Sequence, residues 1–185
     1  MNLHALADTA PQPWANGGGV TRELLAWPTA AAWQVRVSVA DIGQDGPFSA
    51  YPGVTRWFAV LEGGGVALHL PAGTRRLTTA DAALCFDGAD APGCTLLDGP
   101  TRDLNLMLRG VDSGGLQAAG AADWVSPRPH RAVFTTAAAT LHTPQGSHAL
   151  PTMSLAWLAD AAHQPWRLTG QGGQGRAWWL DWAFR

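Results

Sequence analysis

Strict two-residue alternation dominates the chain. Residues 33–40 (WQVRVSVA) place Trp33, Val35, Val37 and Val39 on one side and Gln34, Arg36 and Ser38 on the other. Residues 103–109 (DLNLMLR) put Leu104, Leu106 and Leu108 on one face and Asp103, Asn105, Met107 and Arg109 on the opposite one. A period of two is the period of a strand, so both runs read as strands with one apolar and one polar face. Residues 56–62 (RWFAVLE) are rich in strand formers and run into Gly63-Gly64-Gly65, so 66–70 reads as the return strand of a hairpin. Further strands are expected at 131–136, 152–159 and 176–184. The last of these, RAWWLDWAF, is too aromatic for a free tail and is expected to dock in a core sheet.

Turn clusters separate these runs: Asn16-Gly17, Asp45-Gly46-Pro47, Tyr51-Pro52-Gly53, Asp87-Gly88 and Ala91-Pro92-Gly93. Residues 110–123 are rich in small side chains and weakly patterned. They read as a connector with a short helix at 115–121. Many short strands with little helical periodicity predict an all-β sandwich or barrel. The expected organisation is a first β lobe over 1–110, a connector over 111–123 and a second β lobe over 124–185.

Composition narrows the chemistry. The chain has 185 residues, of which 46% are hydrophobic and 14% charged. That length buries roughly 70% of the unfolded surface, so no disulfide or metal is needed for stability. There is no Lys: all 12 basic residues are Arg. This excludes Schiff-base chemistry, a pyridoxal-phosphate anchor and a phosphate-binding Walker loop, and leaves planar forks suited to carboxylates. A net charge of −2 gives no electrostatic footprint for nucleic acid. No apolar run approaches the roughly 18 residues of a membrane span. The start, MNLHALADTAPQPW, lacks the pattern of a signal peptide, and Cys85 and Cys94 fit neither a zinc knuckle nor a redox pair. A cytoplasmic location is expected.

Several motifs fail on context. Residues 170–175 (GQGGQG) match the dinucleotide fingerprint in letters, but a strand rather than a helix follows, so a hairpin loop is expected. Asp112-Ser113-Gly114-Gly115 is similar to a serine-protease nucleophile loop without the supporting residues, and reads as connector. The six His offer neither HxH nor HxxxH. His142 and His148, astride a Pro-Gln-Gly turn, are the one pair placed to meet across a hairpin. No metal and no cofactor are expected.

The sharpest segment is PWANGGGVTRE, residues 13–23. Three glycines expose backbone N–H groups immediately before Thr21, Arg22 and Glu23. Together with VADIGQDGPFSAYPGVTR (39–56), LEGGG (61–65) and FDGADAPGCTLLDGPTRDLNLM (86–107), in that order, it resembles the HutD/Ves family over the first 110 or so residues. The resemblance implies a bicupin, two β-barrel lobes of the cupin (RmlC-like) jelly-roll type. It also implies a role in bacterial histidine utilisation, binding an intermediate such as N-formylglutamate rather than catalysing a step. One departure stands out: where the family has WKNGGG, this chain has Ala15. The metal-binding cupin pattern is also absent, since 61–73 supplies only His69.

The candidate ligand residues are Asn16, Gly18, Thr21, Arg22, Arg36, Ser38, Arg56 and Asn105. If the valine and leucine faces pack outward, the polar faces line the interior. There a buried Arg requires an anion. A small carboxylate ligand would supply it, with Asn105 and the glycine-loop N–H groups holding an amide or formyl oxygen. The alternative for Arg36 or Arg56 is an internal pair with Glu23, Glu62 or Asp103. Two further functions stay open at this stage. One is a metal-free hydrolase or isomerase using Glu23 or Asp103 as acid or base. The other is an interaction module whose ten Trp include a dimerising patch.

Overall fold

The computed structural model describes residues 1–170, 172 and 175–184. Strand β1 (Asn2–Ala5) opens the chain. There follow β2 (Gln12–Pro13), β3 (Gly19–Trp27), β4 (Val35–Ile42), β5 (Gly46–Pro47) and β6 (Val54–Glu62). Next come β7 (Val66–Leu70), β8 (Gly73–Leu77), β9 (Leu84–Asp87), β10 (Gly93–Leu96) and β11 (Thr101–Arg109). The remainder are β12 (Ser113–Ala118), β13 (His130–Thr135), β14 (Ala139–Thr143), β15 (Gly146–Leu150), β16 (Ser154–Leu158), β17 (Arg167–Thr169) and β18 (Ala177–Ala183). Only short 3-10 turns interrupt this all-β order, and no described helix is long and apolar enough to cross a membrane.

The chain divides into two compact units. The first, Ala10–Gly110, has a six-stranded sheet, β2-β3-β4-β11-β6-β9, and a four-stranded sheet, β5-β10-β7-β8. Its core lies between them: Ile42, Phe58, Val60 and Phe86 from one sheet meet Val66, Leu68, Leu77 and Cys94 from the other. The second unit, Met1–Thr9 with Val111–Arg185, has the five-stranded sheet β1-β16-β13-β18-β12 and the three-stranded sheet β15-β14-β17. Val133, Ala156 and Trp179 there face Leu141, Leu150 and Leu168.

Three expectations change. No sheet closes on itself, so each unit is an open two-sheet jelly roll rather than a barrel. The first nine residues go with the C-terminal unit, because β1 pairs with β16 from Asn2↔Trp157 to Ala5↔Ser154. The expected connector helix at 115–121 is instead β12, paired with β18 from Ser113↔Ala183 to Ala118↔Trp178. An edge strand needs one neighbour's main chain and little side-chain pattern, which is why SGGLQA carries no alternation. The aromatic segment 176–184 contains β18, which pairs on both sides and is buried from Ala177 to Trp182. Of the glycine-rich run 170–175, Gln171, Gly173 and Gln174 lie outside the described residues.

Both faces of the central strands of the first unit are buried. Val35, Val37, Val39, Leu104 and Leu106 are fully buried on one face, so the polar alternates Arg36, Ser38 and Asn105 turn inward, toward the space between the sheets. A bulge between Glu23 and Leu25 shifts β3 against β4, leaving Glu23 opposite Ser38 and beside Arg36.

The glycine run begins this architecture. A Cβ on Gly19 would stand 2.4 Å from the Asp41 carbonyl oxygen and 3.3 Å from the Trp14 ring, so β3 reaches β4 only without a side chain there. Gly17 takes φ +71° in open space. Gly19→Ala is therefore expected to destabilise the protein by about 2 kcal/mol or more, through forced backbone displacement. Gly17→Ala should cost only about 1 kcal/mol, the left-handed backbone penalty. Urea unfolding of both variants checks the order; equal costs would show that the β3–β4 approach is not limiting.

Candidate functional site

A cavity of about 460 Å³ opens in the first unit. Three neighbouring strands form its floor. Antiparallel register sets Met107 of β11 opposite both Arg36 of β4 and Arg56 of β6, and sets Asn105 opposite Ser38 and Phe58. Period-two alternation turns all of these toward the same side. Trp14, Asn16, Phe48 and Tyr51, from the loops before β3 and β6, form the walls.

Arg56 is the principal charge. It is 9% exposed, and its Nε and Nη2 both donate to Asn105 Oδ1, at 3.0 and 2.7 Å. The Phe48 and Phe86 rings hold its guanidinium at 4.4 and 5.6 Å. No carboxylate among the described residues forms a salt bridge with it, and its other N–H groups have no protein acceptor there. Burial pulls its pKa down to about 10, which leaves it charged at neutral pH. Asp103, two residues before Asn105 on the same face, gives little compensation. Burial pushes its carboxyl up to about 8, against the opposing effects of the Thr101 hydroxyl and Arg56. Thr101 Oγ1 donates to its Oδ2 at 2.8 Å, while Oδ1 is buried without a partner.

The candidate residues sort by strand parity. Asn16, Thr21, Arg36, Ser38, Arg56 and Asn105 all line the cavity. Asn16 Oδ1 accepts from the Gly18 amide at 3.0 Å, and Thr21 Oγ1 accepts from the Trp14 indole at 2.8 Å. Gly18 does not line the cavity. Its N–H is taken by Asn16, and its carbonyl accepts from the Gly43 amide at 2.9 Å. Arg22 follows Thr21 and so points to the opposite face. It pairs there with Asp41 at 2.7 Å, in a chain that continues through Arg102 to Glu62. Arg36 lies in the cavity wall but is paired with Glu23 at 2.6 Å. Glu23 and Asp103 are not among the lining residues.

Trp14, Phe48, Tyr51 and Met107 were not candidates. Met107 shares the face of Asn105 and was legible as polar-side register. The three aromatics sit in turns, where periodicity carries no information. The histidines are placed elsewhere. His69 bridges the hydroxyls of Thr74 and Thr95, each at 3.0 Å. His142 bridges those of Ser147 and Thr169, each at 2.8 Å. His148 stands opposite Leu141, so the pair across the Pro-Gln-Gly turn does not meet. Cys85 and Cys94 are free thiols, and burial pushes Cys94 up to about 12, which makes it inert.

Comparison with known proteins fits this architecture. The HutD family model matches residues 6–174. An uncharacterised 21.2 kDa protein in the hutC 3′ region of Pseudomonas putida is 35% identical over 109 residues, 58% of this chain and 57% of the relative. Protein Ves of Citrobacter koseri is 37% identical over 98 residues, 52% of this chain and 51% of Ves. These matches thus span little more than half the length of the curated relatives. Among solved structures, HutD from Pseudomonas fluorescens SBW25, in a formate condition, superposes with a TM-score of 0.85 at 26% identity, covering 100% of this chain and 98% of that one. A conserved protein of unknown function from Pseudomonas aeruginosa PAO1 gives 0.87 at 26% identity, covering 98% of each. Oxalate decarboxylase from Lactobacillus farciminis shares the cupin fold at a TM-score of 0.68 and 8% identity, over 100% of this chain and 86% of that one. An all-β chain of two jelly rolls, matched by the family model over nearly its whole length, belongs to the HutD family.

Proposed function

We propose that this HutD-family protein binds a small carboxylate at Arg56, and that the ligand is an acyl-amino acid such as N-formylglutamate, in cytoplasmic histidine utilisation. The observation that carries the reading is a buried guanidinium on the cavity floor with no carboxylate among the described residues in a salt bridge to it. Such a cation costs several kcal/mol to desolvate, and an anion in the cavity offsets that cost. Asn105 holds two of its N–H groups, and the phenyl rings fix its plane. The remaining N–H groups are suited to a carboxylate fork. Arg36, Asn16 and Tyr51 add donors for a second polar group. The relative from P. fluorescens was solved in a formate condition, and formate is the smallest carboxylate. Glu23 and Asp103, the acid-base candidates of the enzymatic alternative, do not line the cavity.

Arg56→Ala should weaken N-formylglutamate binding by about one to two orders of magnitude, since a charge-assisted hydrogen bond is worth roughly 1.5–3 kcal/mol. Asn105→Ala should cost less, removing a positioning contact rather than the charge. Calorimetric titration of wild type and folded variants decides. No heat with N-formylglutamate or formate in wild type sinks the ligand, and unchanged affinity in Arg56→Ala sinks the site.

The buried acid gives a second test. The Asp103 carboxyl titrates near 8 in the folded state and at about 4 unfolded, so protons favour the fold. Its contribution is fully present below pH 4, declines as pH rises from 4 toward 8, and is gone above 8. Asp103→Asn should flatten that part of the stability profile. Urea midpoints at pH 5 and pH 8 measure it; parallel profiles would place Asp103 among ordinary carboxylates.

A further inference from the structure

The two units repeat one strand-pairing plan. In the first, β11 pairs with β4 and β6, β6 with β9, and β7 with β8 and β10. In the second, β18 pairs with β12 and β13, β13 with β16, and β14 with β15 and β17. The correspondence extends to side chains. His69 on β7 bridges hydroxyls of β8 and β10, and His142 on β14 bridges hydroxyls of β15 and β17, in the same register.

Applied to the cavity floor, the plan sets Arg131 in the position of Arg56. Arg56 stands opposite Met107 on the last strand of its unit, and Arg131 opposite Asp181. Two residues further, Asn105 corresponds to Trp179; across the floor, Arg36 corresponds to Gly115. Both arginines face the interior, and both are stacked on aromatic rings.

Their acceptors differ. Arg131 is fully buried, and its Nη1 donates to the carbonyls of Ala161, at 3.0 Å, and Gln164. Its Nη2 donates to the Trp124 carbonyl at 2.9 Å. Two of these three acceptors come from residues 159–166, the link between β16 and β17. That link is longer than its counterpart in the first unit, residues 88–92. The indoles of Trp124, Trp166 and Trp179 pack together beside the guanidinium, with Trp124 and Trp179 stacked at 4.9 Å. Below them, the Asp181 carboxylate is held by Ser126 at 2.5 Å and Arg128 at 2.8 Å.

We infer that the C-terminal unit holds a self-occupied counterpart of the Arg56 site, so that the chain offers one anion site, in its N-terminal unit. The longer link and Trp124 supply Arg131 with the oxygen acceptors that Arg56 leaves to a ligand. The inference stands on internal correspondence. It rests on the proposed function only where it assigns the open site to a carboxylate.

A paired substitution separates the two arginines without any ligand. Arg56→Met should change the unfolding equilibrium constant less than tenfold, because it removes a cation that no carboxylate among the described residues pairs. Arg131→Met should raise it at least a hundredfold, because a fully buried side chain that ties together the Ala161, Gln164 and Trp124 carbonyls and lies against two indole rings is lost. If Arg131→Met gives no soluble protein, Arg131→Lys is compared with Arg56→Lys, and at least a tenfold greater loss is expected at position 131. Equal tolerance at the two positions would overturn the inference. In wild type, formate or N-formylglutamate should shift the indole N–H resonance of Trp14 and leave those of Trp124 and Trp166 in place. Shifts at Trp124 or Trp166 that persist in Arg56→Met would reveal a second open site and overturn it as well. No shift anywhere, with the stability contrast intact, would sink the ligand reading alone.

Discussion

A guanidinium taken out of water without a counter-charge is the most demanding feature of the first unit, and the elements around Arg56 are arranged to tolerate it. Two N–H groups are absorbed by one amide oxygen, and two phenyl rings offer their negative faces. The neighbouring carboxyl, Asp103, is buried enough to resist ionisation, so the positive charge stays uncompensated from within. Arg36 gives the contrast on the same floor: it meets Glu23 at 2.6 Å, across a bulge that brings the acid into reach. Two arginines flank Met107, one internally paired and one not. On that difference rests the proposal that the cavity takes an anion.

The parity of strands made most of this floor legible in the sequence. Once the valines of β4 and the leucines of β11 are assigned to one face, Arg36, Ser38 and Asn105 must share the other, and the structure brings them to one cavity. The same rule, applied one residue more strictly, excludes Arg22: Thr21 lines the cavity, so its neighbour cannot, and Arg22 joins Asp41 and Arg102 on the far side. What parity does not reach is the wall. Trp14, Phe48 and Tyr51 stand in turns, where main-chain hydrogen bonds such as Phe48 N–H to the Pro92 carbonyl set direction. β12 escaped for a related reason: Gly114 and Gly115 leave no alternation to read.

Ala15 acquires a meaning from its position. It lines the cavity, at the place where the family pattern that this chain resembles carries Lys. The cavity therefore has two guanidinium groups and no ammonium, and one of the two is paired. A carboxylate entering here meets a planar fork fixed by Phe48 and Asn105, which favours coplanar, two-point contact over simple charge attraction.

The second unit shows the same floor built from different side chains. With Trp179 in place of Asn105 and Gly115 in place of Arg36, the polar pocket is exchanged for indole packing, and the lengthened β16–β17 link turns its carbonyls onto Arg131. A buried arginine is stable in either setting if oxygen reaches its N–H groups. In one unit main-chain carbonyls provide that oxygen; in the other Asn105 provides part of it, and the proposed ligand the rest. An arginine stands at both positions, satisfied by main-chain carbonyls in one unit and by Asn105 alone in the other, and it is the unmet N–H groups of Arg56 on which the proposed anion recognition rests.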